Sequence, residues 1–149
     1  MNTDKYRVVI TNVPPDLMTA QQFVADPSFG AVTSFVGVVR NHNEGRRAEA
    51  VTYDVHETLA LKTLGDLCEK ALVQADKKAR IYIAHIRGVC KVGEASVVIA
   101  VGTPHRKMSF DLCEELIDRL KECTPIWKQE HYVEGNSEWL SGTALRQAT

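Results

Sequence analysis

Two lysines, Lys121 and Lys128, flank a proline break in the segment RLKECTPIWKQEHY, with Trp127 directly before the second. A lysine amine set among apolar groups and other cations loses proton affinity, which suits it to act as a nucleophile or a proton carrier. Lys121 falls in the last turn of the helix that Pro125 ends, where a cation also suits the C-terminal dipole, so a bland helix-end role stands beside the chemical one. Lys128, in a short strand, has no such default role.

A second signal is the run GTPHRKMSF, where a strand ends, a proline turns the chain and His105, Arg106 and Lys107 lead into a helix. Free backbone N–H groups and the positive dipole end favour a phosphate there, and cationic side chains strengthen the attraction. A cluster simply tolerated by solvent is the alternative. No G-x-G-x-x-G or G-x-x-x-x-G-K-[ST] loop occurs, so the common nucleotide cradles have no support.

One helix of about five turns separates this end from Lys121, roughly 24 Å at 1.5 Å per residue. A small substrate cannot touch both ends of one helix. Either there are two sites, or a symmetric homodimer sets one subunit's His105 and Arg106 beside the other subunit's lysines.

Other reactive types read more plainly. Arg40, Arg46 and Arg47 cluster in VVRNHNEGRR, and the last two read as a solvated hairpin tip. His85 lies in a strand without a histidine or carboxylate partner at metal spacing, and reads as structural. Cys68, Cys90, Cys113 and Cys123 form no C-x-x-C, which removes zinc-knuckle and thioredoxin-like chemistry and fits reduced thiols. No metal or organic cofactor is expected.

The elements that must position these groups follow from apolar periodicity. YRVVIT reads as an opening strand, and a small helix follows around Thr19 to Ala25. GAVTSFVGVVR is apolar on both faces, which predicts a central strand. After the NHNEGRRAE loop, AVTYDV resumes strand character. Leu64, Leu67, Cys68, Ala71, Leu72 and Ala75 trace one amphipathic helix from Thr58 to Lys78.

ARIYIAHIRGVC and EASVVIAVGT flank KVGE and predict an antiparallel hairpin. A second long helix spans about Arg106 to Glu122, IWKQEHYV is a strand, EGNSEW a turn, and a short element at Trp139 and Leu140 precedes a flexible tail from about residue 141. The order β-α-β-β-α-β-β-α-β predicts one α+β domain over residues 1–149, with a mainly antiparallel sheet, hairpins and two long amphipathic helices.

The chain has 149 residues, enough to bury a core. Its formal charge of −1 gives no footprint for nucleic acid or an anionic membrane, so any anion site must be local. No apolar run reaches the length of a signal core or a membrane span, which predicts a soluble, cytoplasmic protein.

The runs GAVTSFVGVVRNHNEGR, VGEASVVIAVGTPHR and DRLKECTPIWKQE, in this order and spacing, resemble the large, catalytic subunit family of molybdopterin synthase from Gly30 to about Trp139. The resemblance implies an alpha/beta-hammerhead-like fold and an enzyme that converts cyclic pyranopterin monophosphate (precursor Z) into molybdopterin by installing a dithiolene. It also implies a partner. A small ubiquitin-like subunit supplies sulfur from its C-terminal glycine thiocarboxylate, threading its tail into a pocket of the large subunit, with two of each in a heterotetramer around a large-subunit homodimer.

By the same resemblance Lys121 and Lys128 are the catalytic lysines. Arg40, His105 and Arg106 are substrate-anion binders, and the backbone near Val38, Val39, Gln129 and Glu130 is adjacent pocket wall. The chain departs from the family where many relatives carry Tyr-Glu-x-Tyr and this one has YDVHE, with Asp54 and His56 at the changed positions. Two other readings remain open on sequence: a cysteine-dependent sulfurtransferase using Cys90 or Cys123, and a non-catalytic module holding a phosphorylated ligand at His105 and Arg106.

Overall fold

A computed structural model describes residues 2–133 and the backbone of residues 138–144. The chain runs β1 (Tyr6–Thr11), α1 (Leu17–Val24), β2 (Ala31–Val38), β3 (His42–Asn43), β4 (Arg46–Val55) and α2 (Glu57–Gln74). It continues through β5 (Arg80–Ile86), β6 (Gly88–Lys91), β7 (Ala95–Thr103), α3 (Arg106–Cys123), β8 (Ile126–Tyr132) and β9 (Glu138–Ala144). This is the expected α+β class.

Period-two alternation organises the first sheet. Along β5, Ile81 and Ile83 enter the core formed with α2 and α3, while Tyr82 and Ala84 pack with Ala20 and Val24 of α1. Along β7, Val97, Ile99 and Val101 share the first core, and Val98 and Ala100 the second. The two strands are therefore covered on both faces. Their order in the sheet is β1-β5-β7-β2, with β1 parallel to β5 and the other pairs antiparallel.

The segment expected to be central, β2, is instead an edge strand. Its apolar residues do not mean double burial: Val32 is 46 %, Phe35 36 % and Val38 49 % exposed. Apolar composition alone cannot distinguish a strand buried by its own chain from one that lines a cavity or meets another molecule.

The predicted hairpin also needs correction. Strands β5 and β7 pair antiparallel from Ile81↔Val101 to His85↔Val97. The run read as one strand, however, breaks at Gly88, whose φ of +105° strongly favours glycine. Past that break β6 leaves for a second sheet and pairs with β4.

That sheet has the order β3-β4-β8-β9, all antiparallel, with β6 also on β4. Helix α2 stops at Gln74, four residues before the predicted end. Asp76 and Lys77 take positive φ, and the Lys77 N–H donates to the Leu72 carbonyl at 2.7 Å, closing the helix.

Helices α2 and α3 bury Leu64, Cys68, Leu112, Leu116 and Leu120 against the first sheet. Truncating one such leucine to alanine costs about 2–5 kcal/mol. No helix among the described residues is long and apolar enough to cross a membrane. Backbone strand β9 continues to Ala144, past the expected start of the tail; residues 145–149, and the first four residues of the EGNSEW turn, lie outside the described residues.

Candidate active site

Antiparallel pairing of β4 with β8 sets Tyr53 opposite Lys128 and Val51 opposite Glu130. Alternation then puts these four side chains on one face of the sheet, and Trp127 and Gln129 on the other. Lys128 Nζ lies 3.1 Å from Glu130 Oε1, and the Glu130 residue is only 3 % exposed.

Helix α3 supplies the facing wall. Its last turns carry Ile117, Leu120 and Lys121. The Thr124 N–H donates to the Leu120 carbonyl at 3.1 Å, and Pro125 then turns the chain into β8, which folds Lys128 back toward Lys121.

The end of β2 completes the enclosure with Phe35, Gly37, Val38, Val39 and Arg40. Register slips between Gly37 and Val38, leaving Ser96 of β7 as the extra residue, and its hydroxyl donates to the Gly37 carbonyl at 3.2 Å. A bulge re-aims side chains, and here the consecutive residues Ser96 and Val97 both face the same space. A Cβ at Gly37 would come within 2.6 Å of Val97 Cγ1, so any side chain there would have to displace Val97 from the cavity wall.

The result is a cavity of about 340 Å³ at the junction of the two sheets. Among the described residues, Arg40, Lys121 and Lys128 give it three cationic groups against the single carboxylate of Glu130. Burial is the main cause that lowers the Lys121 pKa; Lys128 and Arg40 lower it further, while Asp118 opposes them. A positive, partly desolvated pocket holds anions, and an amine of reduced proton affinity there moves protons more readily.

Its floor is neutral. The edge of one of the rings of Tyr53 and His85 meets the face of the other, with centroids 4.9 Å apart. Burial pushes the Tyr53 phenol up to about 12 and the His85 imidazole down to about 4.

Six of the residues singled out in the sequence thus come together: Val38, Val39, Arg40, Lys121, Lys128 and Glu130. Gln129 contributes backbone between two lining residues, with its side chain on the opposite face. His105 and Arg106 are exposed at the far end of α3, about 24 Å from Lys121 by helix length, and do not line the cavity.

Asp54 and His56 lie off the cavity. Asp54 is exposed, and His56 caps α2 by accepting from the Leu59 N–H at 3.2 Å. Arg46, read as solvated, has its guanidinium over the Tyr132 ring at 3.6 Å from the centroid.

Sequence reasoning missed Tyr53, Ser96 and the floor position of His85. Tyr53 stands two residues from Val51 on a strand whose pairing with β8 has no sequence marker. A histidine inside an apolar strand was the one available signal, since a buried polar group needs a partner or a purpose.

Fold and cavity together define a class: an α+β protein with an enclosed pocket lined by Arg40, Lys121 and Lys128. A family model described as MoaE protein matches residues 10–123. The molybdopterin synthase catalytic subunit of Synechococcus elongatus is 36% identical over 147 residues, covering 99% of this chain and 89% of that one. The structure of molybdopterin synthase from Staphylococcus aureus superposes with a TM-score of 0.83 at 31% identity, over 87% of this chain and 93% of that one. A protein–protein complex of subunits 1 and 2 of molybdopterin-converting factor from Helicobacter pylori gives a TM-score of 0.68 at 26% identity, over 87% and 91% of the two chains. The chain belongs to the MoaE family. It is an enzyme of molybdopterin synthesis.

Proposed function

We propose that the cavity is where precursor Z receives sulfur from the C-terminal thiocarboxylate of a small ubiquitin-like subunit, with Lys121 and Lys128 as the catalytic lysines. The observation that carries this reading is the convergence of Lys121, Lys128 and Arg40 on one enclosed space. Both reactants are anionic, and a pocket with excess positive charge draws them together. The assembly of two different subunits in the Helicobacter pylori complex supports the partner.

Each transfer forms a carbon–sulfur bond at the pterin side chain and breaks a carbon–oxygen bond at the same carbon: one oxygen leaves with the phosphate as the cyclic ester opens to a monoester, and the other leaves as water. Water then cleaves the acyl–sulfur link, releasing the partner's tail as a carboxylate. Lysine ammonium groups stabilise the negative charge that develops, and the amine of lowered proton affinity passes protons as the cyclic phosphate opens.

The site is shared across a homodimer. Exposed Phe35 and Phe110 line a shallow groove of about 460 Å³ between β2 and the outer face of α3. A two-fold axis near the middle of α3 would run the two helices antiparallel and set His105 and Arg106 of one subunit beside Lys121 of the other. Those cations stand at a helix N-terminus with no acidic residue in its first turn, which suits a phosphate. Four free cysteines support a reducing, cytoplasmic setting.

Mixing the purified chain with thiocarboxylated small subunit and precursor Z tests the reading. Dithiolene product is expected; none from a folded, partner-bound chain would overturn it.

A further inference from the structure

His85 is the most buried polar group of the cavity, 1 % exposed, and the mechanism above does not use it. Its Nδ1 lies 2.7 Å from the Ile86 carbonyl oxygen. A carbonyl only accepts, so Nδ1 carries the proton, and in the neutral ring Nε2 is an acceptor with an open lone pair. Among the described residues no group is hydrogen-bonded to Nε2.

Two contacts hold the ring in place: the Ile86 carbonyl and the perpendicular Tyr53 ring. Among the described residues, the titratable groups facing the same cavity are Arg40, His42, Tyr53, Lys121, Lys128 and Glu130. Burial, the dominant influence on the imidazole, keeps it uncharged near neutral pH. The cavity is therefore divided between cations contributed by β8, α3 and the segment after β2, and a neutral acceptor at the end of β5.

We propose that His85 is a specificity-determining residue that accepts a hydrogen bond, through Nε2, from an N–H or O–H of the heterocyclic part of the substrate. This rests on the proposed function of the cavity, and it deepens that reading. The cations attract phosphate and thiocarboxylate but do not distinguish one organic phosphate from another. A fixed acceptor does, because a ligand without the matching donor leaves Nε2 buried and unpaired.

The test uses the intact chain with its small subunit, and the variants His85→Phe and His85→Gln. Phenylalanine keeps a ring against Tyr53 and removes the acceptor; glutamine keeps an acceptor without the ring. The expected result is a KM for precursor Z raised about 5- to 100-fold in His85→Phe, the range for one unpaired buried donor, with kcat within a few-fold of wild type. His85→Gln should recover part of the loss. If His85→Phe is unfolded by thermal melting, the Nε2 resonance of the wild type decides in its place.

A second readout is the ¹⁵N resonance of Nε2 in the wild type, expected to be of the unprotonated type and to move upfield when precursor Z binds. An unchanged KM in a folded variant, or a resonance that does not respond to bound precursor Z, overturns the proposal while leaving the cavity's function standing. A wild type that neither binds nor turns over precursor Z overturns the function reading itself.

Discussion

Lys128 and Glu130, two residues apart on β8, form an ion pair of 3.1 Å on the cavity face of the sheet. Their side chains are 15 % and 4 % exposed, so neither charge is well solvated. Removing one partner of such a pair leaves the other uncompensated. Glu130→Gln is expected to lower stability by about 3 kcal/mol, at the low end because the cavity admits water, and Tm by roughly 6–12 °C. The double variant Lys128→Met, Glu130→Leu should recover most of that in a thermal melt while remaining inactive.

Lys121 gives a pH signature. Its folded pKa lies below the ordinary lysine value, from burial first and then from Lys128 and Arg40. Between the lowered folded value and the ordinary one, the unfolded chain binds more protons, so stability rises with pH across that window. Denaturant titrations should show this slope flattened in Lys121→Gln. An equal slope in both proteins would show that Lys121 is not the group responsible.

The shared site predicts rescue between two dead variants. Lys128→Ala and Arg106→Ala damage different ends of α3 and β8, which a dimer brings together from different subunits. Random mixing of the two makes about half the dimers hybrids, each with one intact site, giving roughly a quarter of wild-type turnover. No recovery after verified subunit exchange would place both groups in one subunit's site or in separate sites.

Cysteine chemistry makes the opposite prediction from lysine chemistry. Cys68, Cys90 and Cys113 are buried and their thiols are pushed up, Cys90 and Cys113 to about 11. Cys123 is exposed and does not line the cavity. Cys123→Ala should therefore keep turnover within about threefold, since it removes no group that faces the reactants. Loss of turnover in a folded Cys123→Ala protein would favour a persulfide carrier.

What the sequence could reveal depended on how local the signal was. Helix α3 was legible to within one residue because its apolar stripe, from Leu112 to Leu120, and Pro125 are local features. Lys121 and Lys128 were legible for the same reason. The edge position of β2 was not, because nothing in Ala31–Val38 records which neighbour it lacks. Tyr53 and Glu130 owe their place to the β4–β8 register, a contact across more than seventy residues. The departure of β6 to the second sheet hung on one glycine, Gly88, whose φ of +105° no periodicity announces.

In the proposed mechanism the two lysines act on bound reactants instead of merely attracting them. Single-turnover dithiolene formation by Lys128→Ala, with precursor Z binding measured in the same samples, tests it most directly. Binding within about tenfold of wild type is expected, with a rate reduced by about 10²- to 10³-fold, the usual range for loss of a group that stabilises developing charge. Product formed at the wild-type rate by the folded, substrate-bound variant would contradict it.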